Sequence, residues 1–312
     1  MKKLLLALLC VLLAGCSSSV SQQASETPEA TGSENSTVEG NQPNILVDQN
    51  TFWITNPTSG ALLFMHVTYP IGFSPDSGLL LPTLVIVPGG IAPSDQERAT
   101  RLADLGFTVI TFDADGRGLS GGEEDFNGFI TQDGLAAIIM AGLNIPGVDR
   151  DQYGLVSLSY GVTAAAGVLA RYPDLPIRFF IDWEGPVDRV YTTTGCNSGY
   201  NNGINWQTCD NDEWWAQREA ITFITQVRVP YQRIQSQQDH VQSTNLHAID
   251  IVNAAVNAGL PWVRLNDYPA NQIFNEHVPP LMLSENLDRL LDQTIGDYAN
   301  YIIENVLPTL GN

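Results

Sequence analysis

Predicted strands and helices alternate along most of the chain, and this order constrains the fold more than any other feature. Residues 84–87 (Leu-Val-Ile-Val) form a continuous apolar run, which is typical of a strand that is buried on both faces. Further strands are predicted at 107–112, 153–158, 177–181, 231–235 and 262–265. Helical patterns separate them, except for an irregular stretch between 177–181 and 231–235. Such alternation indicates an α/β fold with a mostly parallel, doubly wound sheet.

Two departures from this pattern are predicted. The β-rich runs 45–55 and 62–69 flank a turn sequence at 56–60, which predicts an antiparallel hairpin ahead of the parallel strands. Residues 185–227 form an insertion between strands that is long enough to be a functional lid. We expect one domain over 45–312 that carries this inserted lid.

The N-terminus predicts export. Residues 4–13 are an apolar run that follows two lysines; the run is too short to span a bilayer but suits a signal peptide. Leu-Ala-Gly-Cys at 13–16 resembles a bacterial lipobox, which implies a signal peptide at 1–15 and a lipid on Cys16. The polar segment 16–44 is predicted to be a disordered tether. We therefore expect a lipid-anchored, extracytoplasmic protein of the bacterial cell envelope, in the outer membrane if the source has two membranes.

Charge and cysteine content narrow the possible partners. The formal charge is −20, which argues against non-specific nucleic-acid binding, and no zinc spacing or phosphate loop is found. No cofactor or metal is expected, although the acidic turn at 210–213 leaves calcium open beside the preferred interpretation of an exposed turn. In an exported chain, Cys196 and Cys209 are expected to form a disulfide.

The chemistry is expected at Ser159. The sequence Ser157-Leu158-Ser159-Tyr160-Gly161 lies between a predicted buried strand and an Ala-rich helix, which is the context of a nucleophile elbow. Small residues on either side let strand and helix approach each other, although Ser157 stands where glycine is usual. The start of the helix would offer N–H groups and a positive dipole to an oxyanion.

Two further motifs carry a resemblance to a known family. Val87-Pro88-Gly89-Gly90 looks like the glycine loop that follows the third strand of α/β-hydrolases. The turn at 113–122 (Asp-Ala-Asp-Gly-Arg-Gly-Leu-Ser-Gly-Gly) is similar to that of prolyl-oligopeptidase-like, X-prolyl-dipeptidase-like and dienelactone-hydrolase-like enzymes. Over about 45–312 the chain thus resembles the α/β-hydrolase fold. The resemblance implies an oxyanion hole made by the N–H groups of Tyr160 and of Gly90 or Ile91.

In this family the catalytic serine, acid and histidine follow one another in that order along the chain, and this order suggests Asp239 as the acid. Asp239 follows the predicted strand 231–235 in a polar turn, where the family places its acid. Asp182 and Glu184, at the end of the preceding strand, remain alternatives because some family members take the acid from there.

The chain has four histidines, and His277 is the preferred base. It lies in a proline-rich loop after the last predicted core strand, the position that the family uses. His66 precedes the elbow in the hairpin, and His247 begins a helix, where a satisfied polar role is preferred. His240 adjoins Asp239 and is not expected to fold back onto that carboxylate.

The resulting hypothesis is a serine hydrolase that acts on carboxylic esters or short peptides through an acyl-enzyme. Esters are preferred, because no propeller region precedes the hydrolase-like part. The alternative is a non-catalytic surface binding lipoprotein on a hydrolase scaffold, since fold alone does not settle function. The two hypotheses differ in one expectation: an enzyme should bring the side chains of Ser159, Asp239 and His277 within hydrogen-bond reach of one another.

Overall fold

A computed structural model of the chain describes residues 50–190, 195–201, 203–237, 239–275 and 288–311. The predicted signal peptide at 1–15, Cys16 and the tether up to 44 lie outside the described residues. Strands and helices alternate as the sequence predicts. The strands are β1 (Thr51–Thr55), β2 (Leu62–Thr68), β3 (Leu81–Val87), β4 (Thr108–Phe112), β5 (Val148–Leu158), β6 (Phe179–Trp183), β7 (Tyr200–Asn201), β8 (Ile204–Asn205), β9 (Tyr231–Ile234) and β10 (Val263–Leu265). The helices are α1 (Gln96–Ala103), α2 (Phe129–Gly142), α3 (Gly161–Arg171), α4 (Asp212–Trp215), α5 (Ala220–Ile224), α6 (Leu246–Ala258) and α7 (Asp288–Tyr301).

Eight of the strands form one sheet in the order β1-β2-β4-β3-β5-β6-β9-β10. The first two form the predicted antiparallel hairpin, and β2 pairs antiparallel with β4. All pairs from β4 to β10 are parallel. The expected mostly parallel sheet with an N-terminal hairpin is confirmed.

Helices cover both faces of the sheet, because alternate side chains of the central strands point to opposite sides. Val85 and Val87 of β3 join the apolar layer beneath α2, α3 and α6, whereas Leu84 and Ile86 join the layer beneath α1 and α7. This double burial explains why the strand sequence is apolar without interruption. In the described part of the chain, no helix is long and apolar enough to cross a membrane.

The segment between β6 and β9, called the insert below, packs against the end of the sheet. It contains the β7–β8 hairpin, α4 and α5, and the predicted disulfide joins Cys196 to Cys209 with 4.7 Å between their Cα atoms. The insert forms a separate apolar cluster with Ile91 and Tyr160 of the main body, and the buried members from the insert are Cys196, Ile204, Trp206 and Trp215. The insert therefore adjoins the predicted elbow and glycine loop.

Candidate active site

Ser159 occupies a strained turn between β5 and α3. Its φ angle is +50°, in the left-handed region that a side chain rarely adopts, and its backbone N–H donates to the carbonyl of Trp183 at 2.7 Å. The turn is possible because its neighbours are small. A Cβ at Gly161 would lie 2.6 Å from the Pro88 carbonyl oxygen, and one at Gly185 would lie 2.5 Å from that of Ser159.

His240 lies beside Ser159, in the loop after β9. Its Nε2 is 2.9 Å from Ser159 Oγ, and its Nδ1 is 2.7 Å from Glu184 Oε2. With Nδ1 protonated and Nε2 accepting from the hydroxyl, one neutral tautomer satisfies both contacts. Ser159, His240 and Glu184 thus form a continuous hydrogen-bonded relay.

Glu184 follows β6 and is 1% exposed. Besides His240 Nδ1, its carboxylate accepts hydrogen bonds from the backbone N–H groups of Ser236 at 2.7 Å and of His240 at 3.2 Å. Its own φ is +47°, and its N–H donates to the carbonyl of Ile234. The carboxylate is therefore fixed before any substrate is present.

Asp239 is the neighbour of His240 in sequence, but its carboxylate turns away from the imidazole. One oxygen accepts from the N–H groups of Val241 and Gln242, and the other lies 3.1 Å from Nε2 of the buried His247. Burial alone would raise the pKa of this carboxyl, but these hydrogen bonds and one from Gln235 together hold it well below its ordinary value. Its distance to His240 Nδ1, 3.8 Å, is too long for a hydrogen bond.

Asp182 is fully buried and has a different partner. Its carboxylate pairs with the guanidinium of Arg233 and accepts from the hydroxyl of Tyr231 at 3.0 Å. Arg233 also donates to the carbonyl of Gly185, and its Nη2 lies 3.1 Å from His247 Nδ1. Buried charges persist when they are paired in this way. The network joins the ends of β6 and β9 beneath the relay.

The structure places His240, and not only the expected residues, beside Ser159. The imidazole of His240 does not fold back onto Asp239, as expected, yet it reaches Ser159 because it uses Glu184, one of the two alternative acids, as its partner. His277 lies outside the described residues, so its assignment as the base stays a prediction. Strands β6 and β9 are neighbours in the sheet, which brings the residues that follow both strands to one end of the sheet. A prediction that these two strands pair would have indicated His240 as a neighbour of Glu184.

The glycine loop approaches Ser159 as the resemblance implied. A Cβ at Gly89 would lie 3.0 Å from Ser159 Cβ, and Gly90 has φ +58°. On the other side, the carbonyl of Tyr160 accepts from Asn127 Nδ2 at 2.8 Å, and its ring meets the Trp206 ring edge-on with centroids 5.1 Å apart. Gly89 of this loop and Tyr160 thus flank the nucleophile.

The same residues also include a group of possible metal ligands. Among the described residues, Glu184, Asp239 and His240 are the group of carboxylates, imidazoles and thiols whose ligand atoms lie within 4.8 Å of one another. All three already make the hydrogen bonds described above, and a cation between the two carboxylates and His240 Nδ1 would displace the Nδ1–H that Glu184 accepts. The arrangement fits proton transfer better than metal binding.

Comparison with solved structures identifies similar folds. Dipeptidyl peptidase 4 from Porphyromonas gingivalis matches 80% of this chain with a TM-score of 0.59 and 18% identity, over 35% of its own length. Acylaminoacyl peptidase from Pyrococcus horikoshii matches 67% with a TM-score of 0.53 and 16% identity, also over 35% of its length. This chain therefore covers only about a third of each peptidase.

A third structure matches over nearly its whole length. Est1E from Butyrivibrio proteoclasticus, solved with ferulic acid bound, has a TM-score of 0.57 and 12% identity, and the match covers 79% of this chain and 97% of Est1E. No family model matches the sequence, and no curated protein matches it. Strand order, elbow geometry and these structural similarities agree, and the chain therefore has the α/β-hydrolase fold.

Proposed function

We propose that the protein is a serine hydrolase that cleaves carboxylic ester or peptide bonds through an acyl-enzyme. The observation that carries the proposal is the 2.9 Å contact between His240 Nε2 and Ser159 Oγ, with Glu184 on the other ring nitrogen. A base within hydrogen-bond reach of a strained serine, itself oriented by a buried carboxylate, is the arrangement that activates a hydroxyl.

The proposed reaction has two halves. Ser159 Oγ attacks the carbonyl carbon while His240 Nε2 takes the hydroxyl proton, and Glu184 stabilises the imidazolium that forms. The imidazolium passes this proton to the departing alcohol or amine, which leaves an acyl group on Ser159. Water then attacks the acyl carbon, with His240 again taking the proton, and the acid is released as Ser159 recovers its hydrogen.

The oxyanion is assigned to backbone donors. The N–H of Tyr160 lies at the start of α3, and the N–H groups of Gly90 and Ile91 lie in the loop on the opposite side of Ser159. Donors that are fixed in advance stabilise the charge without reorganisation, and loss of one donor typically costs about 10²–10³ in rate. The insert packs on Ile91 and Tyr160, which helps to keep both sides of this hole in place.

Substrates are proposed to be small esters first and short peptides second. Est1E was solved with ferulic acid, while the two peptidases are much longer chains, of which this protein covers only a third. The negative charge of the chain disfavours anionic substrates. A screen should therefore begin with neutral esters and continue to peptides with small residues.

The test is labelling of the full-length protein in detergent with a fluorophosphonate, which reacts with activated serines. We expect strong labelling of the parent and of His66→Ala, a control on the hairpin, and none in Ser159→Ala or His240→Ala. Loss of labelling in His277→Ala with retention in His240→Ala would overturn the relay and favour the pair of Asp239 and His277. No labelling of a folded parent would favour the non-catalytic binding lipoprotein.

The lipid-anchored, extracytoplasmic location is part of the proposal. It is supported by the lipobox-like sequence ending at Cys16 and by the disulfide, because disulfides persist in oxidising compartments. Cells that express the parent should incorporate labelled palmitate into the protein, and Cys16→Ala should abolish this. Equal incorporation in both would contradict the assignment.

A further inference from the structure

Trp183 contacts both the nucleophile and the base. It is the last residue of β6, where it pairs with Leu158 of β5 and with Ile234 of β9. Its carbonyl accepts the hydrogen bond from the Ser159 N–H at 2.7 Å. Its indole stacks on the imidazole of His240, with ring centroids 4.6 Å apart and planes 19° from parallel.

The indole of Trp183 packs on the apolar layer of the sheet. Trp183 is half-buried and packs on the apolar layer that contains Leu158, Ile181 and Ile234. The indole of Trp183 therefore forms one side of the site, and the imidazole of His240 lies nearly parallel to it. A histidine in a loop can rotate about its χ1 and χ2 bonds, and the stacked indole restricts both rotations.

A stacked indole also favours one charge state of its neighbour. The face of an aromatic ring carries negative potential, and tryptophan binds cations more strongly than tyrosine or phenylalanine does. When His240 takes the serine proton, the resulting cation lies against that face. The contact is thus stronger in the charged state that the reaction passes through than in the resting state.

We propose that Trp183 is a positioning residue that orients His240 and stabilises its imidazolium during acyl transfer. The inference rests on the proposed function, because it assigns Trp183 a role through His240. It adds to that function an aromatic partner which the hydrogen-bonded relay does not include.

The other charged groups around the imidazole allow the effect to be isolated. Glu184 faces it from the end of β6, and Asp239 lies beside it in the same loop. Asp239 is in turn held by His247 of α6, which contacts Arg233 of β9. Substitution of Trp183 leaves these four groups in place, so a change in pH dependence would report on the ring.

The test compares pH profiles of kcat/KM for a neutral ester in the parent and in Trp183→Leu, Trp183→Phe and Trp183→Tyr. We expect the plateau of Trp183→Leu to fall about tenfold, mainly in kcat, and its acid limb to move to lower pH, because the cation has lost a partner. Tyrosine and phenylalanine should give intermediate values. A merely structural role would lower the plateau without moving the limb.

The matched control is Trp262→Leu. Trp262 packs on the same apolar layer, but its ring contacts Tyr301 instead of the site. It should reproduce any general loss of stability and leave the acid limb unchanged.

Two results would overturn the inference while the function stands. One is an unchanged acid limb in Trp183→Leu, and the other is a limb that moves equally in Trp262→Leu. If the leucine variant fails to fold, the tyrosine and phenylalanine variants decide, since the limb must still move in the order tryptophan, tyrosine, phenylalanine. Full activity in Ser159→Ala or His240→Ala would instead refute the proposed function.

Discussion

The turn at Ser159 and the loop that carries His240 meet where Ser159 Oγ lies 2.9 Å from His240 Nε2. Different kinds of interaction hold the two segments in place. The turn depends on backbone geometry, with a positive φ at Ser159 and a close approach at Gly161 that no side chain could share. In the described residues of the loop, 235–237 and 239–245, no φ angle is positive. The loop is held by polar contacts to Glu184, by the hydrogen bonds of Asp239 and by the stack on Trp183.

This difference shows why one half of the site is visible in a sequence and the other is hidden. Steric requirements leave a local pattern of small residues around one serine. Polar contacts between distant segments leave none, because carboxylates and histidines are common in any polar loop. The following predictions probe the comparison in order of decreasing effect.

Glu184→Gln should cause the largest loss. A glutamine keeps the size of the side chain but replaces the negative charge that pairs with His240, so the imidazolium loses its stabilising partner. We expect kcat to fall by about 10⁴-fold, as it does when the acid of the serine-histidine-aspartate triad is replaced by its amide. Steady-state kinetics with a neutral ester measure it.

Asp239→Asn is the matched variant for this experiment. Because its carboxylate holds the loop and does not bond to the imidazole, we expect less than about a tenfold loss of kcat. A larger loss in Asp239→Asn than in Glu184→Gln would identify Asp239 as the acid.

Gly161→Ala should destabilise the fold through the turn. The added methyl would lie 2.6 Å from the carbonyl oxygen of Pro88 and 2.9 Å from that of Val87, and backbone atoms cannot move aside cheaply. We expect a loss of about 2–4 kcal/mol in the free energy of unfolding, measured by denaturant titration.

Gly60→Ala provides the comparison for the turn. It has φ +74° but nothing within 4 Å of the added methyl, so only backbone strain of about 1 kcal/mol applies. Equal losses in the two variants would mean that the close approach at Gly161 does not constrain the turn.

Asp239→Asn should make the free energy of unfolding less dependent on pH, because it removes the ionisable carboxyl that holds the loop after β9. The folded protein holds the pKa of this carboxyl below its ordinary value of 3.8, so its contribution is present above that pH and fades as pH falls below it. We expect the asparagine variant to be less stable than the parent by about 2 kcal/mol near pH 7, and the gap to shrink toward pH 3.

Thermal unfolding at both pH values measures this gap. Asp151→Asn removes the same charge from an exposed position and should change stability little at either pH. A gap for Asp239→Asn that stayed constant with pH would show that its hydrogen bonds do not depend on ionisation.

Much of the fold followed from the sequence, because its determinants are local or repetitive. The uninterrupted apolar strands, the hairpin and the elbow at Ser159 all produce patterns within a short window. The pairing of Cys196 with Cys209 followed from the number of cysteines that remain if Cys10 leaves with the predicted signal peptide and Cys16 carries the predicted lipid.

The partners of Ser159 were harder to derive for a specific reason. Glu184 was one of two alternative acids, and its selection depends on a positive φ that turns its side chain across to the loop after β9. The sequence places His240 next to Asp239, whereas its partner in the structure, Glu184, lies 56 residues earlier in the chain. The register of β6 and β9, and not the order of residues, decides which carboxylate the imidazole meets.

The strand order also bears on how such chemistry can be inherited. Ser159, Glu184 and His240 follow β5, β6 and β9, which are neighbours in the sheet and are encoded by one continuous stretch of chain, residues 159–240. A single recombination event that exchanged this stretch would carry the whole relay, together with the insert beside it, into another sheet of the same order. Of the elements after this stretch, α6 would remain tied to the relay through the contact of His247 with Asp239.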